Sequence, residues 1–170
     1  MKIHRLAIFA VTGALIACEL RAADCVEFQK VFDDRDYDFE SLKGAFDSDI
    51  GEYRSVIKLP GSDSCSIQIE NDKNYHSSQF SCQWRFPENA REKMPIYRDD
   101  LINSVKKCIP NSMIKEKPRY FGGRDVRFPT FSQRLVDDFE IRIRDGELKN
   151  KYKGNITLTL WFILEKVTIE

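Results

Sequence analysis

Histidine is nearly missing from this chain. Only His4 and His76 occur, and His4 falls in an N-terminal stretch expected to be removed. A metal site built from several histidines is therefore excluded. Any Ser-His-Asp or Cys-His arrangement would have to use His76. That residue sits beside an expected hairpin turn, next to Tyr75, Ser77 and Ser78. A turn is a poor place for a sheltered base, so His76 reads as a surface histidine without an ordered partner. No G-x-S-x-G nucleophile elbow is present.

Close cysteine pairs are absent as well. Cys18, Cys25, Cys65, Cys82 and Cys108 form no C-x-x-C motif, which argues against a zinc site or a reactive dithiol. Excess charge of one sign is lacking: 27 basic residues face 27 acidic ones. Nucleic acid and general attraction to an anionic membrane are therefore not expected. Gly122-Gly123 has no downstream Lys-Ser/Thr pair and reads as a turn, and no cofactor is expected. After residue 17 no long apolar run occurs.

What is present begins with residues 1–23. Met1-Lys2-Ile3-His4-Arg5 is a short basic head, followed by about a dozen mostly apolar residues from Leu6 to Ala17. This is the layout of an export signal. It is too short for a bilayer span, which takes roughly 20 apolar residues. Two processing routes fit. Leu15-Ile16-Ala17-Cys18 resembles a bacterial lipoprotein box, in which Cys18 is acylated and becomes the first residue. Ordinary cleavage near Ala22 or Ala23 is the alternative. Cleavage after Ala23 would remove Lys2, Arg5, Arg21 and Glu19 and leave a formal charge of −2. Either route places the protein outside the cytoplasm, in a bacterial periplasm, with membrane contact only through a lipid at Cys18.

Both routes also leave four cysteines, an even number that predicts a disulfide framework. Cys65 and Cys82 alternate into the same face of an expected hairpin and lie opposite each other across a turn near Asn74. That pairing ranks first, and it leaves Cys25–Cys108 to tie two helices together.

Residues 24–170 make one domain's worth of chain, with no internal sequence repeat evident. Val26, Phe28, Val31 and Phe32 have helical spacing. Residues 53–59 read as a strand, and Pro60-Gly61 as a turn. Cys65, Ile67 and Ile69 alternate with polar residues, as do Phe80, Cys82 and Trp84, so each strand buries one face. Ala90, Met94, Tyr97, Leu101, Val105 and Cys108 form one helical stripe. Pro95 must kink that helix or start a new one. Further strands follow at Val126–Phe128, Phe139–Arg144 and Ile156–Leu164, with Asp145-Gly146 as a turn. The expected fold is α+β: an antiparallel sheet of about six strands carrying two helices on one face, in the order α-βββ-α-βββ.

The acidic run holds Asp34, Asp36 and Asp38 at the spacing of a calcium loop. Phe39 stands where that loop needs glycine, and Ala45 where it needs glutamate. It therefore reads as a solvated loop. Asn155-Ile156-Thr157 reads as the start of a strand.

One pattern points to binding. If Leu158, Leu160, Phe162 and Leu164 face the core, Trp161 and Ile163 face the other way, beside Arg142 and Arg144. Tryptophan and arginine are enriched at binding hot spots. The competing account is that another segment, such as 147–153, covers them. The favoured function is a non-enzymatic envelope protein that binds another protein or an envelope component, of inhibitor, immunity or accessory lipoprotein type. A small carboxylate-dependent hydrolase and a carrier of an apolar ligand are the alternatives. A pocket with two carboxylates would mark the first, and a large interior cavity the second.

Overall fold

Strict alternation in the hairpin and in the last strand builds the centre of the molecule. In a computed structural model, residues 25–109, 115–118, 124–131, 137–147 and 155–167 are described. Helix α1 spans Cys25–Asp34. Strands β1 (Lys43–Asp47), β2 (Glu52–Ser55), β3 (Ser64–Asp72) and β4 (Tyr75–Pro87) follow. Helix α2 covers Met94–Cys108, and β5 (Lys115–Pro118), β6 (Arg124–Phe131), β7 (Asp137–Glu147) and β8 (Asn155–Val167) complete the order. All strand pairs are antiparallel, in one sheet ordered β1-β2-β3-β4-β8-β7-β6-β5. The fold is thus α+β, but among the described residues the sheet has eight strands and the order is α-ββββ-α-ββββ.

The two extra strands are β1 and β5, short strands at the two sheet edges. Their sequences, Lys-Gly-Ala-Phe-Asp and Lys-Glu-Lys-Pro, carry little β-propensity or alternation. The ladder supplies their structure. Asp145-Gly146 is not a turn. Both residues lie within the β7–β8 ladder, opposite Leu158 and Thr157. The expected strand at 53–59 stops at Ser55, after which the Val56 N–H donates to the Leu42 carbonyl. Pro95 starts a helix: a 3-10 segment at Glu88–Lys93 precedes α2, and proline occupies its first turn, where a missing N–H costs nothing. Cys18 and the expected cleavage sites at Ala22 and Ala23 lie outside the described residues.

The β4–β8 ladder pairs Phe80 with Phe162, Cys82 with Leu160 and Trp84 with Leu158. These six side chains are buried, together with Ile67 of β3 and Ile141 and Ile143 of β7. Phe28 and Val31 of α1 and Leu101, Ile102 and Val105 of α2 belong to the same cluster. Each fully buried large apolar side chain contributes about 1.5–3 kcal/mol. Trp84 keeps its polar end satisfied by donating Nε1–H to the Pro60 carbonyl at 3.2 Å.

Two disulfides form, Cys65–Cys82 and Cys25–Cys108. The first joins residues directly opposite in the β3–β4 ladder, with Cα atoms 4.1 Å apart. The second joins the first residue of α1 to the last of α2.

The architecture repeats although the sequence does not. Each half is a helix followed by four strands, and the halves join through their last strands. β4 and β8 are both 13 residues long and pair end to end, Tyr75 with Val167 and Pro87 with Asn155. Their midpoints, Ser81 and Trp161, are therefore opposite. By the same correspondence Cys82 matches Phe162 and Phe80 matches Leu160, and the β3 residues opposite Cys82 and Phe80, Cys65 and Ile67, match Ile141 and Ile143 of β7. Inward positions keep their apolar character in both halves. Outward positions do not: Ser66 corresponds to Arg142, and Gln68 to Arg144.

Candidate functional site

Trp161 lies between Ser81 of β4 and Arg142 of β7 in the sheet. It alternates with buried Leu160 and Phe162, so its indole sits on the opposite face, where it is half-buried. The Arg144 guanidinium lies 5.5 Å from the Trp161 ring centroid. That separation is within cation–π range, an interaction of about 0.5–1 kcal/mol at exposed sites. Arg142 forms an ion pair with Glu140 on the same strand, while its Nε is buried without a partner. Across the ladder, Ser66 and Ser81 share a hydroxyl hydrogen bond of 3.1 Å.

Trp161, Arg142 and Arg144 are thus brought together. Ile163 lies on the same face, opposite Gln79 and Glu140, but is only 5% exposed. Ser81, Thr157 and Thr159 on this face are also buried. Trp161 lies half-buried among these buried residues, with Arg144 over its ring. Most of the segment proposed as its cover, residues 148–153, lies outside the described residues.

A second cluster was not legible in the sequence. His76 is bonded at both ring nitrogens: Nε2 to the Asp38 carboxylate at 2.8 Å and Nδ1 to the Asn71 side-chain oxygen. Lys166 Nζ approaches the same Asp38 oxygen at 3.4 Å. His76 is therefore not a lone surface histidine. The expectation failed because its main partner is 38 residues away in sequence. Burial pushes the Asp38 carboxyl upward. The hydrogen bond from His76 and the charges of Lys166 and His76 outweigh that effect, holding it below its ordinary value of 3.8.

Asp38 and Phe39 both adopt left-handed backbone, each with φ of 56°. Non-glycine residues there cost of order 1–3 kcal/mol each. Burying Phe39 against Phe80 offsets this. Ser78 faces the carboxylate from β4 and exerts a weaker pull on it. Its Oγ is fully buried and meets no partner at hydrogen-bonding geometry. A hydroxyl so enclosed cannot meet a substrate, so this Asp-His-Ser grouping is a fastening between the acidic turn and the ends of β4 and β8.

The acidic run disperses its carboxylates. Asp34 accepts from the Ser41 N–H, Asp36 pairs with Arg35, and Asp38 holds His76. Among the described residues no group of three acidic, histidine or cysteine side chains could hold a metal.

The interior cavity among Phe28, Trp84, Tyr97, Leu101 and Leu158 measures about 20 Å³, room for one water. Ligand pockets run to roughly 300–1,000 Å³. A groove of about 530 Å³ opens at the surface among Lys30, Asp33, Tyr37, Leu42 and Val56. None of the described helices is long and apolar enough to cross a membrane. Comparison with known proteins finds no family model, curated protein or solved structure that matches the chain.

Proposed function

We propose that this chain is an exported, non-enzymatic binding protein of the bacterial periplasm, directed at another protein or at an envelope component. The reading takes both helices as the cover of one sheet face, leaving the other face for a partner. The observation that carries it is Trp161, half-buried on that face with Arg144 stacked on its indole and Arg142 beside it. Aromatic and arginine side chains are the usual anchors of interfaces. The internal repeat adds support. Where the first half places Ser81, Ser66 and Gln68, the second places Trp161, Arg142 and Arg144, so specialisation is concentrated in this patch.

Export rests on the N-terminal signal, and two disulfides suit an oxidising compartment. Cys18 is the candidate lipid anchor. Among the described residues the cavity beside Phe28 and Trp84 is only about 20 Å³, which gives the carrier alternative little support, and no described group favours the hydrolase alternative. The test is capture from envelope extract with the mature chain, wild type against Trp161→Ala. Lost partners at unchanged melting temperature support the reading. Unchanged partners overturn the assignment of this face.

A further inference from the structure

The ladders sort charge along the strands on the face that carries Trp161. One row runs straight across five strands: Arg54, Ser66, Ser81, Trp161 and Arg142. On the side of this row towards the β3–β4 turn, the charged strand positions of the same face include Asp47, Glu52, Glu70, Glu140 and Glu165. In the row and on its other side they are Arg54, Arg142, Arg144 and Arg85. Among the described strand side chains of this face, no cation stands in the first half and no carboxylate in the second.

Two ion pairs cross the boundary between the halves, Arg54 with Asp47 and Arg142 with Glu140. Beyond them the two signs are too far apart to cancel. Glu165 and Thr157, the residue opposite Arg85, are eight residues apart on β8, about 26 Å along a strand. The screening length at physiological salt is about 8 Å. Such a face is complementary to itself. A half-turn about an axis lying across the strands, level with Phe80 and Phe162, lays the acidic half of each copy on the arginine half of the other. The same operation sets Arg142 over Glu140 of the second copy, and Trp161 over its Ile163, close to the axis.

We infer that this face closes on a second copy of the chain in a two-fold dimer, sheet against sheet with strands running in opposite directions. The inference rests on the reading of the Trp161 face as an interface and names its partner. Charge complementarity selects that occupant and fixes the direction of stacking, because the parallel arrangement would set like charges together. The patch covers β2, β3, β4, β8 and β7 over the nine residues of β3, a footprint of about 700 Å² at about 4.8 Å per strand and 3.3 Å per residue. A standard interface takes roughly 800 Å² from each partner. Packed sheets lie about 10 Å apart, a gap that the tryptophan and arginine side chains can fill. Both copies use the same surface, so the assembly stops at two.

The test is sedimentation velocity of the mature, disulfide-bonded chain over a concentration series at low and high salt. A reversible monomer–dimer equilibrium is expected, with its midpoint at least about tenfold higher in about 0.5 M NaCl than at low salt. Trp161→Ala should raise the midpoint at least about tenfold as well. Glu52→Arg/Glu140→Arg turns the acidic half basic, and Arg54→Glu/Arg142→Glu turns the basic half acidic. Each of these variants alone should stay monomeric, and an equimolar mixture should form a mixed dimer. Circular dichroism and melting temperature check that all are folded. A wild-type chain monomeric at every concentration overturns the inference. If that monomer still captures a different protein that Trp161→Ala loses, the face remains an interface and only its partner is wrong. Growth beyond a dimer, a midpoint indifferent to salt, or a folded mixture that fails to associate also overturns it. The wild-type series decides even if a variant does not fold.

Discussion

Ser81 and Trp161 face each other at the midpoint of the central β4–β8 ladder, and they are equivalent positions of the two halves. One half places a buried serine there and the other an arginine-stacked indole. This asymmetry at a symmetric position separates two roles that tryptophan could play.

Trp161→Ala should weaken partner binding by about 2 kcal/mol, roughly thirtyfold, with little change in melting temperature. Titration calorimetry with a captured partner and thermal unfolding measure the two effects separately. A loss of roughly 3–5 kcal/mol of stability would instead identify Trp161 as a packing residue. Arg144→Ala should remove the stacking on Trp161, worth about 0.5–1 kcal/mol of binding.

The two bridges should differ in what they contribute. Cys25–Cys108 spans a sequence separation of 83, and Cys65–Cys82 spans 17. Closing the longer loop restricts the unfolded chain more, with about 4.5 against about 3 kcal/mol expected from loop entropy. Urea unfolding of the paired Cys→Ala variants should rank them in that order.

Asp38 gives the fold an acid limit. Its folded value lies below the ordinary 3.8, so the ionised form is favoured by folding. That contribution is complete above the unfolded value and is lost as pH falls through the folded one. Asp38→Asn should flatten the stability profile below about pH 4. His76→Ala removes the main hydrogen-bond partner and should cost about 1 kcal/mol, measured by urea unfolding near pH 6. A neutral result would mean the fastening is idle.

Ser78→Ala should be nearly neutral, within about 1 kcal/mol. A buried hydroxyl without a partner contributes a desolvation cost, and alanine removes it. A large loss would show that Ser78 does bond to Asp38.

The hairpin was legible because its turn and its alternation agree, and together they set Cys65 opposite Cys82. The stripe through Tyr97, Leu101 and Val105 made the second helix legible, but spacing alone does not decide whether Pro95 kinks it or starts it. β1 and β5 were not legible. Their residues have no pattern of their own and are held by one neighbouring strand each. Gly146 misled because a glycine flanked by aspartate signals a turn, yet Leu158 and Thr157 draw both residues into the ladder. Trp161 and Arg142 could be placed on one face by period-two counting. The bond from His76 to Asp38 could not, because it depends on where two distant segments meet. The repeat was hidden for a different reason: burial preserves apolar character, and Cys82 and Phe162 share little else.

The Cys25–Cys108 bridge also decides how tension would travel through the molecule. Everything from α1 to α2 lies inside a covalent ring. A force applied between an N-terminal anchor and the C-terminus would cross that ring at the disulfide and bypass β1 to β4. Only the chain beyond Cys108 could be drawn out, to about 200 Å when fully extended. Reduction would release the enclosed half as a second, separate lengthening. Single-molecule pulling with and without reductant should show one step becoming two. The first half is thereby kept from being drawn out, and the strands that carry Trp161 and Arg142 would yield first.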